Sequence, residues 1–240
     1  MLFAVLVPTA FFGKTPDNPI VLGNKRVTLI TPTLFRLEYA EEGRFLDAPT
    51  LFAHDRSTLL QDYEIRELDG GKRYEIKTSA LRMVFDNDNL PFGQKNFLVH
   101  YRLNGEERTA NARSLHAADA NLGGSVTTLD DVSRPIPLQE GLLSRDGYYY
   151  IIDTGTEVLE DGWFRRRDPR HVQDMYCFVY GTDYRAALKD LGTIGGHVPM
   201  TRKYVHGIWY CRWWPYTSEE VYRLIAEYGA VSYTHLTLPT

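Results

Sequence analysis

Short β-type runs alternate with turn residues from Pro19 to about Gly105. One pair of runs flanks Thr31-Pro32-Thr33 and another flanks Asp69-Gly70-Gly71, so each pair is predicted to form neighbouring strands. A further run, Phe97 to Leu103, leads into Asn104-Gly105, a dipeptide that favours a hairpin turn. Short strands at this spacing predict an antiparallel β-sandwich.

The middle of the chain is less regular. Residues 106–120 are polar and rich in alanine, and we expect a loop or a short helix there. Residues 121–155 contain many glycines and prolines, which predicts a long ordered loop that returns to a strand at Tyr148–Ile152. The Gly123-Gly124 pair is no phosphate-binding fingerprint, because no strand-to-helix transition surrounds it.

A strand and a helix are predicted before a domain boundary. Met175–Tyr180 is apolar and aromatic, as expected of a strand, and Thr182 or Asp183 has the side chain of a helix N-cap. Gly192 is expected to end that helix. The linker that follows contains glycine and proline, so residues 1–199 are predicted to be one domain.

Residues 204–228 predict the beginning of a second domain. Tyr204–Arg212 has the β-branched and aromatic composition of a strand that is covered on both faces. Thr217 and Glu220 have the spacing of a capping box at a helix start. The apolar residues of that helix recur at helical spacing, at Val221, Leu224, Ile225 and Tyr228. A buried strand followed by a one-faced helix is the first half of a βαβ unit, predicted for residues 200–229.

Composition argues against several classes of function. With a net charge of −4 and interspersed acids and bases, the chain has no general electrostatic attraction for nucleic acid. No stretch approaches the roughly 18 apolar residues of a membrane span. Cys177 and Cys211 lie in apolar runs and are predicted to be buried thiols rather than a disulfide or a metal site. We expect neither a cofactor nor a metal ion, and no prediction is made for the oligomeric state.

The apolar segment at the start of the chain, residues 1–13, resembles part of a secretory signal. It has no basic residue before it, and Pro8 interrupts it. A cytoplasmic location is therefore favoured over secretion.

Three polar stretches could carry function, and each has a simpler interpretation. Asp86–Asn89 offers carboxylates for calcium, but it lacks the EF-hand spacing and the closing glutamate, so a turn is favoured. Asp130 and Asp131 are adjacent turn acids, which are more often solvated than catalytic. Trp163–His171 contains four arginines and a histidine. It is either a phosphate or nucleic-acid patch or, as we favour, an exposed turn in which Asp168 pairs internally.

Three stretches within residues 121–228 resemble glycoside hydrolase family 31, the α-glucosidase and α-xylosidase family. LGGSVTTLDDVSRPIPLQEGLLSRDGYYYIID is similar to a long loop of the family's N-terminal domain. DMYCFVYGTDYRAALKDLGTIGGHVPM resembles the crossing from sandwich to barrel, and GIWYCRWWPYTSEEVYRLI resembles the first barrel strand and helix. LITPTLFRLEYA, nearer the start, is also similar to the family.

The resemblance implies a galactose-mutarotase-like β-sandwich followed by the first strand and helix of a (β/α)8 barrel. It also implies retaining hydrolysis of α-glycosides by two aspartates, a nucleophile and an acid/base. In the family both aspartates lie on later barrel strands. We therefore expect no catalytic residue in this chain, and no hydrolysis of α-glucosides or α-xylosides by residues 1–240 alone.

The resemblance also implies three substrate-binding residues. Arg145 and Asp146 match a loop that reaches over the barrel mouth, where the aspartate contacts sugar hydroxyls; a local Asp-Gly turn is the alternative. Trp213 matches an aromatic residue at the end of the first barrel strand, where its ring forms a wall for the donor sugar. Trp209 is expected in the core, and Trp214 in either place.

The final residues depart from the family. After Tyr228 the family continues the helix and enters a second strand, whereas GAVSYTHLTLPT resembles translated sequencing-adapter sequence. We expect Ala230–Thr240 to be non-native. The resulting hypothesis is the N-terminal fragment of a retaining α-glycosidase that binds an α-glucoside or α-xyloside. The alternative is a non-catalytic carbohydrate-binding β-sandwich, for which the aromatic content would suffice.

Overall fold

The computed structural model describes residues 17–117, 119–126, 133–206 and 213–230. The chain divides into two compact units, Met1–His197 and Val198–Thr240. The strands are β1 (Ile20–Leu22), β2 (Lys25–Leu29), β3 (Leu34–Ala40), β4 (Glu64–Leu68), β5 (Arg73–Lys77), β6 (Arg82–Asp86), β7 (Phe97–Leu103), β8 (Glu106–Asn111), β9 (Tyr148–Ile152), β10 (Val158–Glu160), β11 (Trp163–Arg165) and β12 (His171–Val179). The α-helices are α1 (Tyr184–Gly195) and α2 (Ser218–Ala230), and short 3-10 helices cover Glu41–Gly43 and Lys203–His206.

The first unit contains two five-stranded antiparallel sheets. Sheet one has the order β1-β2-β3-β12-β9, sheet two has the order β4-β5-β6-β7-β8, and β10 and β11 form a separate hairpin. The inner faces of the two sheets share one apolar core, in which the ring centroids of Phe35 and Phe97 lie 5.8 Å apart. The prediction of a mainly β fold with antiparallel sheets is confirmed, and the shared core gives it the layers of a sandwich.

The predicted hairpins form at the turns that the sequence indicated. Asn104 and Gly105 have φ angles of 52° and 85°. Positive φ at both central residues defines the type I′ turn, whose twist matches that of the strands it joins. β7 therefore passes directly into β8, and the prediction of a loop or a short helix over residues 106–120 is wrong for residues 106–111, whereas residues 112–117 and 119–120 are turn and loop. The strand was missed because β8 is a polar sheet edge, with Ala110 its buried side chain.

Helix α1 covers part of the outer face of sheet one. Asp183 is its N-cap and accepts a hydrogen bond from the Ala186 N–H at 3.0 Å, as predicted. The expected end at Gly192 is wrong, because the helix continues through Gly195. A helix interior tolerates one glycine at a cost of about 1 kcal/mol. The exit occurs at Gly196, whose φ of 82° turns the chain out of the helix.

The acidic turn after β6 surrounds a buried lysine. Nζ of Lys25 pairs with the carboxylate of Asp88 and donates to the carbonyl of Asp86 at 2.7 Å. It also lies 4.9 Å from the centroid of the Phe92 ring. The cation at these oxygens is thus an ammonium group from β2, which supports the interpretation of Asp86–Asn89 as a turn.

Replacement of Lys25 by methionine is expected to lower the free energy of unfolding by about 1–3 kcal/mol, since hydrogen bonds to charged groups contribute about that much. Methionine keeps most of the length of the buried side chain but leaves the Asp86 carbonyl and the Asp88 carboxylate without their donor. Urea denaturation monitored by circular dichroism measures the loss. Lys72→Met, at an exposed position in the β4–β5 turn, is the control. Equal midpoints for the two variants would contradict the assignment.

The capping box of the second unit is formed as predicted. The Glu220 N–H donates to the Thr217 hydroxyl at 3.3 Å, and the Thr217 N–H donates to the Glu220 carboxylate at 2.8 Å. These two bonds satisfy backbone donors at the start of α2 that lack partners within the helix.

The predicted strand Tyr204–Arg212 does not begin where expected. Lys203–His206 is a 3-10 helix, in which the Val205 N–H donates to the Arg202 carbonyl at 3.0 Å. A local turn therefore replaces the extended conformation that the β-branched and aromatic composition favours, because β-propensity depends strongly on context. Residues 207–212, which include Trp209 and Cys211, lie outside the described residues, as do residues 1–16 and 231–240.

Candidate functional site

Asp146 lies in a tight turn just before β9. The Gly147 N–H donates to the Ser144 carbonyl at 3.1 Å, and the Asp146 N–H donates to the Ser144 hydroxyl at the same distance. Gly147 has a φ of 76°, which favours glycine. The Asp-Gly turn offered as the simpler interpretation is therefore present, and its presence is compatible with a binding role.

Contacts with the end of β12 hold this turn in place. The Gly147 carbonyl accepts hydrogen bonds from the N–H groups of Tyr180 and Gly181, both at 2.9 Å. A Cβ atom on Gly147 would lie 2.7 Å from the Gly181 carbonyl oxygen, so the two glycine backbones touch. The Tyr180 hydroxyl accepts from the Ser144 N–H at 2.7 Å and donates to the Leu142 carbonyl at 2.9 Å. The turn is thus fixed by backbone contacts on both sides.

Only one of the two oxygens of the Asp146 carboxylate has a partner among the described residues. Its Oδ2 accepts from the Ala117 N–H at 3.2 Å and lies 3.3 Å from Nδ1 of His116. Among the described residues no donor reaches Oδ1, and the side chain is 33% exposed. The Asp146 carbonyl accepts the Tyr101 hydroxyl at 2.7 Å. Burial, reinforced by Tyr148 and Asp146, raises the pKa of Tyr101 to about 12, so that hydroxyl remains a donor.

His116 is the neighbour of Asp146 that sequence reasoning missed. Its ring stacks on Tyr148 at 4.6 Å and on Tyr149 at 5.2 Å between centroids. Nδ1 of His116 also lies 3.1 Å from the Ser144 hydroxyl. His116 is separated from Asp146 by 30 residues in a polar stretch, so no local motif identifies it.

Serine, histidine and aspartate thus meet, but not as a hydrolytic triad. A triad places the serine hydroxyl on one ring nitrogen and the carboxylate on the other. Here the Ser144 hydroxyl and the Asp146 carboxylate both approach Nδ1 of His116. Ser144 is also fully buried and accepts the Asp146 N–H. The geometry supports binding rather than nucleophilic catalysis.

Arg145 and Asp146 lie on the same turn but contact different groups. The Arg145 N–H donates to the Ala120 carbonyl at 2.7 Å, and Nη1 donates to the Asp119 carbonyl at 3.2 Å. The side chain is exposed, so its remaining donors face solvent beside the Asp146 turn. A role for Arg145 in substrate binding stays a prediction.

Trp213 belongs to the second unit and is 97% exposed. Trp214, beside it, is about half exposed. Trp213 and Asp146 belong to different compact units, and a wall formed by Trp213 near the Asp146 turn stays a prediction.

A buried cluster of opposite charges occupies another part of the outer face of sheet one. Asp174 pairs with Arg36 at 2.7 Å, with Arg167 at 2.9 Å and with Arg56 at 3.5 Å. Asp153 pairs with Arg56 at 2.6 Å and with Arg167 at 3.2 Å. These five side chains are at most 5% exposed. Asp174 is engaged by three guanidinium groups, and Asp153 by two at Oδ2 and by the Thr50 hydroxyl at both oxygens. Neither carboxylate is therefore a free acid or base.

The cluster partly corrects the interpretation of Trp163–His171 as an exposed turn. Arg170 pairs with Asp168 at 2.5 Å near the surface, as predicted. Arg167 instead points inward, because Asp153 and Asp174 are buried and need a cation.

A cleft of about 490 Å³ lies over this segment, with Arg166 and Arg167 on its walls together with Glu157 and Asp168. Arg167 is already engaged by buried acids, so the walls do not combine into a positive surface for phosphate.

The Asp174 pairings predict acid sensitivity. Burial alone would raise the pKa of Asp174, but attraction by Arg36, with smaller contributions from Arg56 and Arg167, lowers it from the ordinary 3.8 to about 2. A pKa that is lower in the folded protein stabilises the fold above the unfolded value, and that stabilisation is lost as the pH falls from about 4 to about 2. A shift of this size corresponds to about 2 kcal/mol.

We therefore expect the melting temperature, measured by circular dichroism, to fall steeply as the pH is lowered from about 4 to about 2. A melting temperature that stays constant across this window would show that Asp174 is not held ionised by its arginines.

The remaining predictions from the sequence concern the cysteines, the Asp130-Asp131 pair, metal binding and membrane spans. Cys177 is a buried thiol, as predicted, and burial raises its pKa well above the usual value. Asp130 and Asp131 lie outside the described residues. In the described ranges no group of three or more His, Cys, Asp or Glu side chains is placed to hold a metal ion. Neither of the two described α-helices is long and apolar enough to cross a membrane.

The turn formed by Ser144–Gly147, with His116 against it, is therefore the candidate site. No protein-family model matches the chain, and no curated protein matches it significantly.

Proposed function

We propose that this chain is the sugar-contacting portion of a retaining α-glycosidase of the α-glucosidase or α-xylosidase type. In this proposal the first unit is a galactose-mutarotase-like sandwich, and the second begins the catalytic barrel. The single observation that carries the proposal is the Asp146 carboxylate, which is held on a braced turn and whose Oδ1 has no donor among the described residues. The resemblance of residues 121–228 to glycoside hydrolase family 31 supports the same role.

A carboxylate of this kind is suited to bind a sugar. An ionised carboxylate accepts hydrogen bonds from hydroxyl groups that are stronger than those between neutral partners. Because the Asp146 turn is already fixed by Gly147 and Tyr180, a ligand bound there would pay little for ordering it. Asp146 would thus orient the sugar, while the nucleophile and the acid/base would come from later barrel strands.

The test is the product of the uninterrupted gene, read through the codons that follow Tyr228. We expect it to release nitrophenol from aryl α-glucosides or α-xylosides. Proton NMR of the first sugar formed should show the α-anomer, since a retaining mechanism conserves configuration. Release of the β-anomer, or hydrolysis of neither substrate, would refute the proposal.

A second candidate function is a carbohydrate-binding sandwich without catalysis. The observation that favours it is the β10–β11 hairpin, on which Trp163 is 74% exposed and Phe164 is 58% exposed. Exposed aromatic rings can stack on the apolar faces of sugars. Retention of the 240-residue chain on insoluble α-glucan, lost in Trp163→Ala but kept in Asp146→Ala, would favour this alternative.

A further inference from the structure

Among the residues that the structure describes, two atoms beside the Asp146 turn have no hydrogen-bond partner. Oδ2 of Asp146 and Nδ1 of His116 lie 3.3 Å apart. The other oxygen of Asp146, Oδ1, is bonded to the same carbon as Oδ2. The other ring nitrogen of His116, Nε2, is bonded to the same carbon as Nδ1. Among the described residues neither Oδ1 nor Nε2 makes a hydrogen bond. Each is therefore free to bind a ligand beside the same Oδ2–Nδ1 contact.

The contacts of Nδ1 determine which ring nitrogen carries the proton. An ionised carboxylate only accepts hydrogen bonds, so Nδ1 must be the donor toward Oδ2 of Asp146. The Ser144 hydroxyl oxygen, 3.1 Å from Nδ1, can accept the same N–H. A neutral imidazole with its proton on Nδ1 has a lone pair on Nε2. Oδ1 and Nε2 are then two unoccupied acceptors, one on each side chain of the contacting pair.

The His116 ring is held in one orientation. It lies nearly parallel to the Tyr149 ring, at an interplanar angle of 11°, and at 26° to the Tyr148 ring. The side chain is only 9% exposed, which leaves an edge of the ring rather than a face for a ligand. Because the ring is held in one orientation, its Nε2 lone pair points in one direction and favours a hydroxyl that approaches along it.

We infer that His116 is a second sugar-contacting residue, whose Nε2 accepts a hydrogen bond from one hydroxyl while Oδ1 of Asp146 accepts one from the neighbouring hydroxyl. The ligand class is a pyranoside with two adjacent free hydroxyl groups. The identification of the ligand as a sugar rests on the proposed function, whereas the contact between His116 and Asp146 does not. It also gives His116 a positioning role, because Nδ1 orients the Asp146 carboxylate.

The first test is the tautomer of His116, read from long-range ¹H–¹⁵N NMR correlations of the full 240-residue chain. We expect the proton on Nδ1, and loss of that preference in Asp146→Ala. A proton on Nε2 in the unmodified chain would overturn the inference, because Nε2 could then not accept a hydroxyl.

The second test is a titration of the ¹⁵N-labelled chain with methyl α-glucoside and methyl α-xyloside. We expect shifts at Asp146 and Ala117, and a roughly tenfold weaker affinity in His116→Phe, which keeps the stacked ring but removes both nitrogens. His54→Phe, at an exposed position of the same unit, is the matched control. Unchanged affinity in His116→Phe with an intact spectrum, or no shift with either glycoside, would overturn the inference.

Failure of this inference and failure of the proposed function give different results. If the complete gene product hydrolyses α-glycosides and depends on Asp146 but not on His116, only the inference fails. If it hydrolyses none while the chain still binds glycosides through His116, the proposed activity fails and the pair remains a sugar-binding site.

Discussion

Replacement of Asp174 by alanine is expected to lower the free energy of unfolding by about 3–5 kcal/mol, the usual cost of removing one partner from a buried ion pair. Asp174 is paired with Arg36, Arg56 and Arg167, and all four side chains are at most 5% exposed. Its removal leaves three guanidinium groups with Asp153 and Glu38 as the nearby acids. Chemical denaturation of the 240-residue chain measures the loss.

Asp168→Ala is the matched control for Asp174→Ala. Asp168 also pairs with an arginine, Arg170, but that pair is at the surface, and surface pairs contribute little. We expect its denaturation midpoint to stay close to that of the unmodified chain. Similar midpoints for both variants would mean that the buried cluster is not a main source of stability.

In the proposed α-glycosidase, replacement of Asp146 by alanine in the complete gene product is expected to reduce kcat/KM for aryl α-glycosides about tenfold to hundredfold. The variant loses the acceptor that the proposal assigns to a sugar hydroxyl, a contact of about 1–3 kcal/mol. The turn itself should persist, because Gly147, Ser144 and Tyr180 hold it through backbone and hydroxyl groups. Steady-state kinetics and the melting temperature, measured on the same preparation, separate binding from folding.

Asp62→Ala is the control for this kinetic measurement, since Asp62 is an exposed carboxylate elsewhere in the first unit. Unchanged kinetics in Asp146→Ala, together with an unchanged melting temperature, would leave Asp146 as a turn residue only.

Local turn chemistry explains why the sandwich could be predicted. The turns Asn104-Gly105 and Asp69-Gly70 require positive φ, and their residue types show this in the sequence. The Asp183 cap and the Thr217–Glu220 box are likewise short-range patterns. Where polarity alone guided the interpretation, as in β8, the prediction was wrong, because an edge strand buries few of its side chains.

Contacts between distant residues explain what could not be predicted. Arg36 and Asp174 are 138 residues apart, and only the pairing of β3 with β12 brings them together. Arg167 appears in the sequence as part of a basic run, whereas its partners come from other strands and loops. The same holds for the candidate site: the sequence resemblance suggested Asp146 as a candidate, but His116 approaches it only because the chain before residue 117 folds back onto β9.

The contact between Gly147 and Gly181 also limits how this site can diversify. A side chain at either position would strike backbone atoms, and a Cβ atom on Gly181 would lie 2.4 Å from the Arg102 carbonyl oxygen. If the proposed α-glycosidase is placed in a saturation library selected for altered sugar preference, accepted substitutions should therefore accumulate at His116 and Arg145, with both glycines unchanged. The backbone at Asp146 should then keep its position in every accepted variant, while the side chains around it change.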